Sequence, residues 1–127
     1  MTNILIDSEI FFNDWNAINQ IGLNRETNGI NRLGYSTEDF QARNWFLDKA
    51  KEYGFKVSTD SVGNVFARFG PDDGPCIVSG SHIDSVPEGG KYDGILGVMA
   101  ALECCRAMKA ADIKPNIAIE IVGTAEE

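Results

Sequence analysis

His82 is the only imidazole in a chain of 127 residues, and it lies in the acidic, glycine-rich stretch GSHIDSVPEGGKYDGILGV, residues 80–98. Asp84 follows two positions later, ten residues separate His82 from Asp93, and Glu126 with Glu127 close the sequence. A neutral imidazole with carboxylates is a ligand set for a borderline divalent cation such as zinc, or a harder one such as manganese. Asp84 is placed to accept the second ring N–H of His82 and so to fix its tautomer. The pattern alone also allows a hydrogen-bonded structural histidine and a solvated acidic surface. What favours a metal is convergence, because carboxylates gathered at one point repel one another unless a cation sits among them.

Convergence depends on the elements that carry these residues. PCIVSGSH is a short apolar run that reads as a buried strand ending at His82, and ILGVMAALECCRAMKA reads as a helix packed on a sheet. NIAIEIV alternates as a strand that ends just before Glu126 and Glu127. Strand, loop, helix and strand make a βαβ unit with parallel strands and a right-handed crossover. In open α/β sheets ligands bind beyond the carboxyl ends of the strands, which is where His82, Asp93, Glu126 and Glu127 fall. Gly89, Gly90 and Gly94 let the backbone turn sharply enough to return Asp93 toward His82.

The N-terminal half supplies two helices and a hairpin. Helical spacing of Phe11, Trp15, Ile18 and Ile21 predicts a helix over residues 8–22, and STED at Ser36 opens a second helix that Gly54 ends. FKVSTD and NVFARF predict a strand pair joined around Asp60 to Gly63. Between the helices, NRETNGINRLGY has no period and predicts a loop long enough to suggest function. Arg32 in that loop, like Lys91, is either a ligand for a substrate carboxylate or a solvated charge. Trp15 and Trp45 are expected to pack.

Composition narrows the partners. A net charge of −8 repels a phosphate backbone, so nucleic acid is not expected. No apolar run reaches the ~20 residues needed to cross a bilayer, and the N-terminus lacks the pattern of a secretory signal, so no membrane partner is expected and the expected location is cytoplasmic. Three cysteines, Cys76, Cys104 and Cys105, make no C-x-x-C pair and are expected to be free, buried or half-buried thiols. Because the chain ends directly after a strand, it is expected to be part of a longer protein.

GSHIDSVPEGGKYDGILGV resembles the metal-binding signature of the M20 metallopeptidase clan, and more narrowly its amidase, hydantoinase and carbamoylase branch. NRLGYSTEDFQARNWF, DSVGNVFARF and the closing AEE resemble the same branch, so the likeness covers nearly all of the chain. The resemblance implies an α/β fold, the N-terminal part of a Zn-peptidase-like catalytic domain, with a central sheet flanked by helices. Residues 1–127 would be the N-terminal portion of that domain, with the dimerisation domain and C-terminal part absent and the parent a homodimer.

It also implies two divalent metal ions, zinc, manganese, cobalt or nickel. Asp93 would bridge them, His82 would bind one and Glu127 the other. Glu126 would be the general base and Asp84 the partner that orients His82. The implied substrates are small anionic ureido compounds: N-carbamoyl amino acids, N-carbamoyl-β-alanine or allantoate. Two other readings stand beside this one: a truncated, non-catalytic relative or weak metal-binding fragment, and an aminoacylase or dipeptidase of the same clan. The short interval between His82 and Asp93 disfavours the last.

Overall fold

The structure is a computed structural model that describes residues 2–127. Helix α1 (Ser8–Ile18) starts at Asp7, whose side chain accepts the Ile10 N–H. It stops a turn earlier than the apolar spacing predicts, and residues 19–22 form turns that end at Gly22 with φ of 80°. Helix α2 (Thr37–Glu52) begins as expected, with the Ser36 hydroxyl accepting the Asp39 N–H. Gly54, at φ 84°, lets the chain leave α2, as a glycine past a helix end does.

Strands β1 (Lys56–Thr59) and β2 (Val65–Phe69) form the expected antiparallel pair. Their turn is held by Asp60, whose Oδ1 accepts the N–H groups of Val62 and Asn64. Strand β3 (Cys76–His82), helix α3 (Ile95–Ala110) and strand β4 (Ala118–Thr124) make the parallel unit, with rungs from Cys76 opposite Ala118 to His82 opposite Thr124. The sheet order is β1-β2-β4-β3. All three helices share one core with the inward residues of β2 and β4: Ala42 and Phe46 of α2, and Val98, Met99 and Leu102 of α3, meet Val65, Ala67 and Ile121.

That order corrects one expectation. The apolar run of β3 is not a buried strand, since β4 takes the inner position and leaves β3 at the sheet's edge, where Ile77 and Val78 are exposed. The thiols also divide: Cys105 is buried, Cys76 half-buried and Cys104 exposed. Burial pushes the Cys105 thiol up to about 12. Trp15 is buried as expected and stacks on Phe11 and Tyr92. Among the described residues no helix is long and apolar enough to cross a membrane.

One buried ion pair ties α2 to the hairpin. Arg43 and Asp39 lie one helical turn apart, bonded to each other, and both side chains are almost fully buried. Asp39 Oδ2 also accepts the Tyr35 N–H at 2.8 Å, and Arg43 Nη1 donates to the Gly63 carbonyl at 3.0 Å. Removing one member of such a pair strands the other charge in a dry site. Arg43→Met is therefore expected to destabilise the fold by about 3–5 kcal/mol. Lys56→Met, which loses only a solvent-exposed approach to Asp72, should cost less than about 1 kcal/mol. Urea unfolding of the two variants checks the contrast.

Candidate metal centre

The parallel register brings the ends of β3 and β4 to one edge, and His82 is the last residue of β3. The imidazole is 8% exposed, so its orientation is set by protein contacts. Nδ1 stands 2.9 Å from the main-chain carbonyl oxygen of Asp84. A carbonyl can only accept, so Nδ1 carries a hydrogen, and in the neutral ring of that tautomer Nε2 is the nitrogen that holds a lone pair. Nε2 faces outward, 3.2 Å from Glu127 Oε2 and 3.9 Å from Asp93 Oδ2.

The Asp84 side chain is buried, but its role differs from the sequence reading. It is the main-chain oxygen, not the carboxylate, that receives the His82 N–H, and Oδ1 lies farther away at 3.5 Å without a hydrogen-bond partner. Oδ2 accepts the Glu127 N–H at 3.4 Å. The carboxylate of Asp84 thus faces His82 on one side and holds the segment after β4 on the other.

Two turns place the remaining acids. Asp93 precedes Gly94, whose φ of 70° starts α3, so the chain reverses there as the glycines suggested. A Cβ on Gly94 would overlap the His82 ring, which makes the absence of a side chain a condition for the imidazole's position. After β4, the Ala125 N–H donates to Asn64 Oδ1 at 2.7 Å, so the β1–β2 turn anchors the strand end that carries Glu126 and Glu127. Gly34 lies against Glu126 and close to Asp84, where a Cβ would approach Glu126 Cγ to 3.1 Å. Asn64 and Gly34 escaped the sequence reading, since only the folded chain shows which loop meets which strand end.

One ligand atom each from His82, Asp93 and Glu127 lie within 4.8 Å of one another, the one such group among the described residues. In a tetrahedral site with bonds of about 2.0–2.2 Å, neighbouring ligand atoms stand about 3.4 Å apart, so this set fits a divalent ion with little movement. An imidazole nitrogen beside two carboxylates is also the donor set such an ion takes. Glu126 is outside that group but lines the same cleft, a space of about 290 Å³ walled by Leu33, Gly34, Val86 and Pro87 beside His82 and Asp84.

Arg32 does not reach this cleft. It is 1% exposed and hydrogen-bonded to main-chain carbonyls, which removes it as a substrate ligand. Burial lowers its guanidinium to about 10, against the attraction of Asp39 and Asp84, and it stays charged at neutral pH. The loop that carries it is tied down as well: Ile30 exchanges main-chain bonds with Gly89, and Glu88 accepts from Asn24, Thr27 and Asn31, which hold its carboxyl below the usual range.

No family model matches the chain. It is 38% identical over 95 residues to a ureidoglycolate hydrolase of Oryza sativa subsp. japonica, an overlap of 73% of this chain and 20% of that protein. It is 39% identical over 101 residues to an allantoate amidohydrolase of Bacillus subtilis, covering 78% of this chain and 24% of that one. The solved structure of an amidase of the hydantoinase/carbamoylase family from Burkholderia vietnamiensis superposes on all of this chain with a TM-score of 0.93 at 33% identity, covering 31% of its own length. The chain thus spans a third or less of each.

The geometry at Gly94 gives a direct test. Gly94→Ala adds a methyl where the imidazole lies and puts an L side chain at a sparsely populated backbone conformation of positive φ, which costs about 1–3 kcal/mol. Because His82 is the only histidine, its ring proton signals in an NMR spectrum stand alone. They are expected to shift in Gly94→Ala and to stay in place in Gly90→Ala, where a Cβ meets open space.

Proposed function

We propose that the protein containing this chain, which is similar to amidases of the hydantoinase/carbamoylase family, is a metal-dependent amidohydrolase that cleaves the C–N bond of small anionic ureido compounds. The observation that carries this reading is the convergence of His82, Asp93 and Glu127 at the carboxyl end of a parallel strand pair. N-carbamoyl amino acids, N-carbamoyl-β-alanine, allantoate and ureidoglycolate are the substrates to examine. The net charge of −8 means that recognition of an anion relies on local donors and on the bound cations rather than on the field of the whole chain.

His82 Nε2 would hold one divalent ion and Glu127 the other, with Asp93 shared between the two and the remaining ligands supplied by residues outside this chain. Bound there, such ions lower the pKa of water and draw charge from a carbonyl oxygen. The chain's own residues supply the rest. Main-chain Asp84 keeps the His82 tautomer that leaves Nε2 free to coordinate. Glu126, exposed at the cleft on a residue with φ of 44°, is the general base. It takes a proton from the attacking water and passes it to the leaving nitrogen as the C–N bond breaks.

The decisive assay strips metal from the protein with a chelator, restores zinc, manganese or cobalt, and measures ammonia released from each of the four substrate types. Activity should return with metal on at least one of them, and its absence from all would end this proposal. Glu126→Gln is expected to lower turnover by about 10²–10⁴-fold with metal content unchanged. His82→Ala should lose metal and activity together. Metal analysis of the purified variants separates the two roles.

A further inference from the structure

Arg32 is a long basic residue, 1% exposed, and three of its five guanidinium N–H donors go to main-chain oxygens. Nη1 donates to the carbonyls of Ile18 at 3.2 Å and Ile21 at 3.1 Å, and Nε donates to the Ile83 carbonyl at 3.2 Å. Ile18 closes α1 and Ile21 lies in the turn behind it, where helix carbonyls lack intrahelical partners and the helix dipole is negative. A cation suits that end. The Ile83 carbonyl belongs to a different part of the fold, the peptide that enters Asp84.

The main chain of Arg32 grips the other side of the same residue. Its carbonyl accepts the Ser85 N–H at 2.8 Å, and its N–H donates to Ser85 Oγ at 2.9 Å. Ser85 Oγ in turn donates to the Ile30 carbonyl at 2.9 Å. Asp84 is therefore bracketed, by the guanidinium at residue 83 and by the backbone at residue 85. Between these two grips sits the Asp84 carbonyl that holds His82 Nδ1. Turning either adjoining peptide would withdraw that acceptor.

We infer that Arg32 is the positioning residue of His82: by clamping Ile83 and Ser85 it fixes the Asp84 carbonyl on Nδ1, and so directs Nε2 toward Asp93 and Glu127. The inference deepens the metal reading above and rests on it for its consequence, although the clamp itself needs no metal. A planar fork with five donors can address separate carbonyls at once, which lysine's single ammonium and an apolar side chain cannot do. Gly22 completes the arrangement, since a Cβ there would come within 2.9 Å of the Arg32 stem.

The test compares wild type, Arg32→Lys and Arg32→Ala, each checked for folding by circular dichroism. With the ring neutral and no metal present, ¹⁵N shifts of the single histidine report its tautomer. Wild type should hold the Nδ1–H form almost exclusively, and the folded variants should fall to a mixture, with guanidinium ion restoring the wild-type spectrum in Arg32→Ala. Zinc affinity, measured by competition with a chromophoric chelator, should fall about tenfold or more in the same variants. If Arg32→Ala does not fold, Arg32→Lys carries the comparison, because it keeps the charge and loses the fork.

A folded variant that keeps the wild-type tautomer, with zinc affinity within about twofold, overturns the inference and assigns Arg32 to stability alone. The metal reading fails separately, if wild type binds no zinc while the tautomer still depends on Arg32.

Discussion

The parallel pairing of β3 with β4 is the constraint on which the rest of the site depends, because its last rung sets His82 opposite Thr124, with Glu126 and Glu127 following at once. Strand periodicity makes this register unforgiving, since a slip of one residue would turn His82 to the other face of the sheet. Small residues hold it. Gly80, in a left-handed backbone with φ of 156°, lies so near Val122 of β4 that a Cβ would overlap its carbonyl. Gly123 leaves room for the side chain of Ile83, the residue that follows His82. The crossover helix α3 then starts beside the imidazole at Gly94, so one βαβ unit delivers histidine, aspartate and glutamate to one edge.

Around that unit the N-terminal half acts as a brace. Asn64, from the β1–β2 turn, holds the chain as it leaves β4, while the loop between α1 and α2 holds the chain as it leaves β3. Both strand ends that carry the acids and the imidazole are thus tied to segments far away in sequence. This is also where the electrostatics balance. Arg32 is a buried cation facing Asp84 and Asp39, and Asp39 is itself paired with Arg43. Asp93 and Glu127, by contrast, are exposed acids that meet beside the single imidazole, an arrangement that an added cation relieves.

Much of this was legible in the sequence because it followed from local signals and one topological rule. The capping residues of α2, the Asp60 turn and the apolar periods locate the elements, and the rule for parallel strands predicts that His82, Asp93, Glu126 and Glu127 share one edge. Strand order was not legible. An apolar run such as CIVSG reads alike in a middle strand and at an edge, and only the insertion of β4 between β2 and β3 decides it. The charge of Arg32 suggested solvent or substrate, whereas its burial depends on a helix end and a turn that meet only in the fold. Asp84 lies beside His82, but which of its oxygens faces the His82 Nδ1 depends on a backbone turn that no spacing encodes.

One imidazole and two carboxylates converge at this strand edge, and whether they bind an ion together can be measured. The most direct measurement is the X-ray absorption fine structure of the zinc-loaded protein, which resolves the atoms bound to the ion. The expected result is a shell of nitrogen and oxygen at about 2.0–2.2 Å, with the multiple scattering of one imidazole from this chain that His82→Ala removes. A shell containing sulfur at about 2.3 Å, which would place the ion on Cys76, Cys104 or Cys105, or imidazole scattering unchanged in His82→Ala, would contradict it.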